Sequence, residues 1–192
     1  MMYKELLSAV AIALTFIAFY PYIHSILKGE TKPHVFSWVT WGSVTFVVFL
    51  AQLAGKGGAG AWPIGVSGII TIYVAVLAYI KKSDITITRT DWLFFIAAMT
   101  SLPLWYLTSD PLWAVVILTT VDLFGFVPTF RKAYASPFEE KLTFFVLMSV
   151  RNLIAIMALA NYSLTTVLFP ALTAIACLVF VVMVTYRRSL IK

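Results

Sequence analysis

The chain has 192 residues, 61% hydrophobic and 11% charged, with a mean hydropathy of +0.96 and a formal net charge of +6. That leaves too little polar surface to cover the core of a water-soluble domain, so composition excludes that class. The single cysteine, Cys177, excludes an internal disulfide and any multi-cysteine metal site.

Seven apolar runs of bilayer-spanning length follow one another, at about 6–27, 36–54, 62–80, 92–108, 112–130, 142–160 and 164–186. Backbone polar groups in lipid must pair within their own segment, so these runs predict α-helices; the alternation of a membrane barrel is absent. The expected fold is an all-α membrane protein, one transmembrane domain over residues 1–192. No small-residue cleavage site follows the first run, which is therefore read as a retained helix and not as a signal peptide.

The first run carries Pro21 near its end, in "YPYIHSILKGETKP", before a charged, glycine-bearing break. His24 and His34 lack acidic partners at ligand spacing, so no metal site is expected. In the second run Ser37, Trp41, Thr45 and Gln52 share one helical face. Trp38 and Trp62 fall near run ends, where tryptophan commonly anchors at the membrane interface. The "GKGGAG" stretch at 55–60 has no preceding strand and no Gly-Lys-Ser/Thr ending, so it reads as a flexible outer loop and not as a phosphate cradle. The third run adds Ser67 and Thr71 at i, i+4.

Asp122 and Arg151 are the acidic and basic residues inside the runs. Asp122 precedes Arg131 by nine residues and Arg151 follows Lys141 by ten. At a rise of 1.5 Å per residue both lie near mid-depth, about 14–15 Å from the boundary. A lone charge there costs at least ~2.5–3.5 kcal/mol, so the two are expected to pair. They read either as a structural bridge between the fifth and sixth runs or as a solute site, in which Arg151 receives an anionic group or Asp122 exchanges a proton.

Eleven of the fourteen basic residues sit after runs 1, 3 and 5 or at the C-terminus; Lys4 and Lys56 lie on the other side and Arg151 within a run. This asymmetry assigns an outside N-terminus and a cytoplasmic C-terminus, the bilayer being the cell membrane. It also argues against a nucleic-acid partner.

A shift of 107 residues superposes Pro21 on Pro128, Pro63 on Pro170, Phe19 on Phe126 and Tyr79 on Tyr186 without a gap. The repeating unit is three helices, covering about 4–82 and 111–189, with a linker helix at about 91–108. An odd connector gives both units the same orientation, a parallel repeat about an axis along the membrane normal. Pro21 and Pro128 then stand near the cytoplasmic ends of equivalent helices, where a lost backbone donor permits bending, as a hinge or gate would require. In the first unit Thr15 and Val44 occupy the places of Asp122 and Arg151, and Thr45 corresponds to Asn152.

This 3+1+3 pattern, with proline late in the first helix and the short basic loop "KGETKP", resembles the PQ-loop superfamily, which includes SWEET-type sugar transporters, PnuC-type vitamin transporters and KDEL-type receptors. Tyr22 follows Pro21 and Thr129 follows Pro128 where the group's name has glutamine. The third helix of each unit also lacks the asparagine that contacts sugar in SWEET-type carriers, so the resemblance carries architecture and not substrate. It implies a small-solute transporter, with Trp41, Thr45, Ser67, Thr71, Asp122, Arg151 and Asn152 as candidate solute contacts. The alternative is a seven-helix receptor or sorting protein that holds a ligand without moving it. No cofactor and no enzymatic activity are expected, because neither a nucleotide-binding segment nor a His/carboxylate cluster is visible. The expected partners are the lipid bilayer and a small-molecule solute, and the sequence leaves homo-oligomerisation open.

Overall fold

Each apolar run forms a helix because lipid offers the backbone no other hydrogen-bond partner. The computed structural model describes residues 2–29, 35–81, 89–135, 137–139 and 142–191. His34, Lys32, Lys82, Lys141 and Lys192 lie outside the described residues, as do the side chains of Pro128, Arg131 and Lys132. The α-helices are α1 Met2–Leu27, α2 Val35–Ala54, α3 Trp62–Ile80, α4 Arg89–Thr108, α5 Pro111–Ala135, α6 Leu142–Met157 and α7 Leu164–Leu190. Short 3-10 turns cover Gly58–Ala61 and Pro137–Glu139.

The segments Met2–Leu27, Val35–Ala54, Gly58–Ile80 and Leu164–Leu190 are long and apolar enough to cross a membrane. Shorter apolar helices span Trp92–Thr108, Pro111–Phe126 and Leu142–Met157. Large apolar side chains such as Leu6, Phe16, Leu107 and Val182 stand more than half exposed, an arrangement that water would penalise and lipid favours. The protein is an all-α protein embedded in a membrane.

Local chemistry sets the helix ends. Asp110 accepts the Leu112 N–H at 2.9 Å to cap α5, whose first residue is Pro111. At the start of α7 the Ser163 N–H donates to Thr166 Oγ1 at 3.0 Å. At the end of α2 the Gly57 N–H reaches back to Gln52 O at 2.8 Å and Lys56 N–H to Leu53 O at 3.0 Å. Lys56 there adopts φ 58°, the left-handed cap position that favours glycine.

The helices pack in the cyclic order α1–α3–α2–α5–α7–α6, with α6 returning to α1, and α4 lies outside against α5 and α2. In each triplet the chain's third helix therefore sits in the middle. Two apolar clusters fill the ring. One joins α2, α3, α4, α5 and α7 through Val44, Val48, Ile64, Ala98, Leu118 and Phe169. The other joins α1, α3, α6 and α7 through Phe19, Ile26, Ile70, Val74, Met148 and Cys177. Glycine allows two of the close approaches: a Cβ on Gly42 would lie 2.6 Å from Ile72 Cγ1, and one on Gly65 2.8 Å from the Phe49 ring.

The Lys56 cap gives a clean test of local backbone energetics. Lys56→Gly relieves the left-handed strain without removing a hydrogen bond, and is expected to stabilise the protein by about 0.5–1 kcal/mol. A thermal melt in detergent that showed a loss would mean that the lysine side chain contributes more than its backbone costs.

Candidate functional site

Polar side chains collect at mid-bundle, where α3, α5, α6 and α7 meet. Arg151, midway along α6, is 2% exposed, and Asn152 beside it is fully buried. Arg151 Nη2 donates to Ser67 Oγ on α3 at 3.4 Å and lies 3.9 Å from Met148 Sδ. Among the described residues Arg151 Nε and Nη1 have no hydrogen-bond partner, and neither does the Asn152 amide at Nδ2 or Oδ1. A buried guanidinium with idle donors is costly, and such groups inside a membrane generally mark a ligand or ion path.

Asp122, midway along α5, is likewise buried and accepts a hydrogen bond from Thr173 Oγ1 on α7 at 3.5 Å. The direct pairing expected between Asp122 and Arg151 is not made. The reason is the packing order: α7 packs against both α5 and α6 and stands between them. Thr173 faces Asp122, while the next residue, Ala174, offers its carbonyl to Ser149 Oγ on α6 at 3.1 Å. The two charges remain within electrostatic reach of each other and of Cys177 on α7, but no hydrogen bond joins them.

The remaining candidates divide. Trp41 is half-buried on α2 and leans on α5 at Gly125, where a Cβ would come 2.9 Å from its Nε1. Its ring meets Trp38 edge-on at 5.7 Å, and Trp38 stacks on Tyr22 at 4.9 Å. Trp38 is thus part of an aromatic cluster near the start of α2. Thr45 and Thr71 are buried, but their hydroxyls donate to the carbonyls of Trp41 and Ser67 one turn back, at 2.8 Å each. Thr45 on α2 and Asn152 on α6 are both buried, on helices that stand opposite each other in the ring. Pro21 is exposed within a continuous α1, and position 128 falls inside α5.

At the end of the bundle that carries the N-terminus, the stretch read as a flexible loop is clamped instead. Ala160 N–H donates to Gly57 O at 2.8 Å and Asn161 Nδ2 to Gly55 O at 3.0 Å. Gln52 Nε2 donates to Thr166 O and Lys4 Nζ to Leu159 O, each at 2.6 Å, and Ser8 Oγ to Ala59 O at 2.7 Å. Gly60 is buried against α6; a Cβ there would lie 2.5 Å from Leu159 N and 2.7 Å from Ala155 O. The glycines serve close backbone approach, not looseness. Sequence reasoning missed this seam because most of its acceptors are backbone carbonyls. It also missed Thr173 and Met148, whose only signal was their place on the central faces of α7 and α6.

No protein-family model, curated protein or solved structure matches the chain.

Because Arg151 lacks a direct counter-ion, its removal should not unfold the protein. Arg151→Met, close in volume and without the idle donors, is expected to melt at or above the temperature of the unaltered protein. A loss of the ~3–5 kcal/mol typical of a broken buried pair would mean that Asp122 depends on the guanidinium after all.

Proposed function

We propose that the protein is a small-solute membrane transporter of the PQ-loop type, working by alternating access between two triple-helix halves. In this reading seven membrane helices form two parallel repeats, α1–α3 and α5–α7, joined by α4, with the N-terminus outside and the C-terminus cytoplasmic. Its main support is the buried pair Arg151 and Asn152, whose partnerless donors lie at the seam between the proposed halves. A purely structural core would have satisfied them.

Two further observations favour the reading. The packing order is unchanged when α1, α2 and α3 are exchanged for α5, α6 and α7: α1 on α3 becomes α5 on α7, α2 on α3 becomes α6 on α7, and α1 on α6 becomes α5 on α2. That is the behaviour of a two-fold duplicated unit, in the same register as the 107-residue shift. The seam is also hydrogen-bonded at the N-terminal end, as expected of a carrier caught with its outer gate shut. Rocking would open that seam, with Pro21 and Pro128 permitting bends at the inner end.

A receptor using the same fold would bind solute saturably without moving it. A thermal-stability screen over sugars, vitamins, amino acids and organic acids, followed by vesicle uptake of any stabilising solute, separates the two readings.

The outer gate can be tested directly. A Cβ built on Gly58 lies 2.6 Å from Ala160 Cβ, so paired cysteines need a shift of only about 1 Å to cross-link. Oxidising Gly58→Cys/Ala160→Cys protein in vesicles should stop flux, and reductant should restore it. Undiminished flux in the fully cross-linked protein would rule out rocking at this end.

A further inference from the structure

The charges at mid-bundle constrain what can occupy this layer. Arg151 is buried with two nitrogens that have no partner among the described residues, and the adjoining Asn152 amide is equally idle. Asp122, on α5, accepts one long hydrogen bond, from Thr173 on α7. The cation and the anion are near enough to act on each other electrostatically but share no hydrogen bond, each being engaged elsewhere.

Compare three kinds of occupant. A neutral polyol would desolvate both charges further and neutralise neither. A simple carboxylate would satisfy Arg151 and Asn152, but bring a second anion within reach of Asp122. A solute carrying both a carboxylate and an ammonium group answers each charge with its opposite and leaves the layer without a net unpaired ion. A second feature favours an ammonium group on the α5 side. Gly125, three residues after Asp122 and so on the same helical face, is where the Trp41 indole leans on α5. The indole therefore stands about one helical turn from the carboxylate, and a cation reaching its ring face would be attracted there.

From this geometry we infer that the solute is a small zwitterion of the amino-acid class. Its carboxylate is received by Arg151 and Asn152, and its ammonium group by Asp122 beside Trp41. The inference rests on the reading of this layer as the solute site.

The test uses the full chain and defined probes: glycine, β-alanine and 4-aminobutyrate, which widen the charge separation stepwise, against propionate, propylamine and glucose. At least one zwitterion should raise the melting temperature, by about 5 °C at 100 times its Kd. The carboxylate-only and amine-only probes should bind at least tenfold more weakly, and glucose should give no shift. Arg151→Gln and Asp122→Asn should each weaken zwitterion binding at least tenfold. Should either variant fail to fold, the probe series on the unaltered protein decides alone. Propionate or glucose binding as tightly as every zwitterion, or no shift from any zwitterion, overturns the inference. Vesicle uptake keeps the two proposals apart. Protection by a zwitterion without flux removes transport and keeps the solute class, whereas flux of glucose without zwitterion protection removes the class and keeps transport.

Discussion

The arrangement turns on one guanidinium buried in the middle of a helical bundle without a direct counter-ion. Arginine cannot shed its charge at any ordinary pH, so Arg151 must be accommodated and not neutralised. The protein does so through a hydroxyl on α3, a thioether on its own helix and a carboxylate that acts on it without a hydrogen bond. Each is weaker than a bidentate ion pair, and together they leave donors idle. A fold selected for stability alone would have paired or replaced this residue; keeping it strained favours a binding role.

The packing order explains how the charge is kept apart from its natural partner. In a ring where the third helix of each triplet lies between the other two, α5 and α6 pack chiefly on α7 and not on each other. Small side chains on α7 at Ala174 and Cys177 let α6 approach, and Ser149 ties the two helices through the Ala174 carbonyl. Had α5 and α6 been neighbours, Asp122 and Arg151 would have closed into a bridge and the layer would be inert. The topology holds two opposite charges at one depth and prevents their collapse onto each other.

Much of this was legible in the sequence. Hydropathy marked the helices because lipid penalises every unpaired backbone group, and the runs agree with the observed helices to within a few residues at most ends. The largest departure is that of α5, which continues to Ala135 beyond the apolar run; α6 stops short at Met157 because Ala158–Ala160 turn to reach Gly57. Asp122 and Arg151 stood out because charge is rare at that depth. Their separation did not, since periodicity fixes which face a residue occupies but not which helix lies opposite. The clamp at the N-terminal end was hidden for another reason. Gly57, Ala59 and Leu159 take part through backbone carbonyls, which every residue possesses, so no side-chain pattern betrays them. Thr45 and Thr71 misled in the opposite sense: in a helix a threonine hydroxyl can be spent on its own preceding turn, and here both are.

The two triplets differ in complementary ways. The first, with Thr15 and Val44 where the second has Asp122 and Arg151, contributes no charge at mid-depth. It supplies instead Ser67 as the hydroxyl facing Arg151, Trp41 against Gly125, and the glycine-rich stretch that closes the seam at the N-terminal end. The second supplies the charges and the carbonyls that receive Lys4 and Gln52. Neither half completes the central layer or the clamp alone, and both sets of contacts cross the same seam. Any motion that parts the halves at the N-terminal end therefore also bears on the Arg151–Ser67 contact, and any ligand that engages Arg151 bears on the seam. The coupling a carrier needs between occupancy and gating would then require no separate relay, because the gate and the charged layer are two levels of one interface.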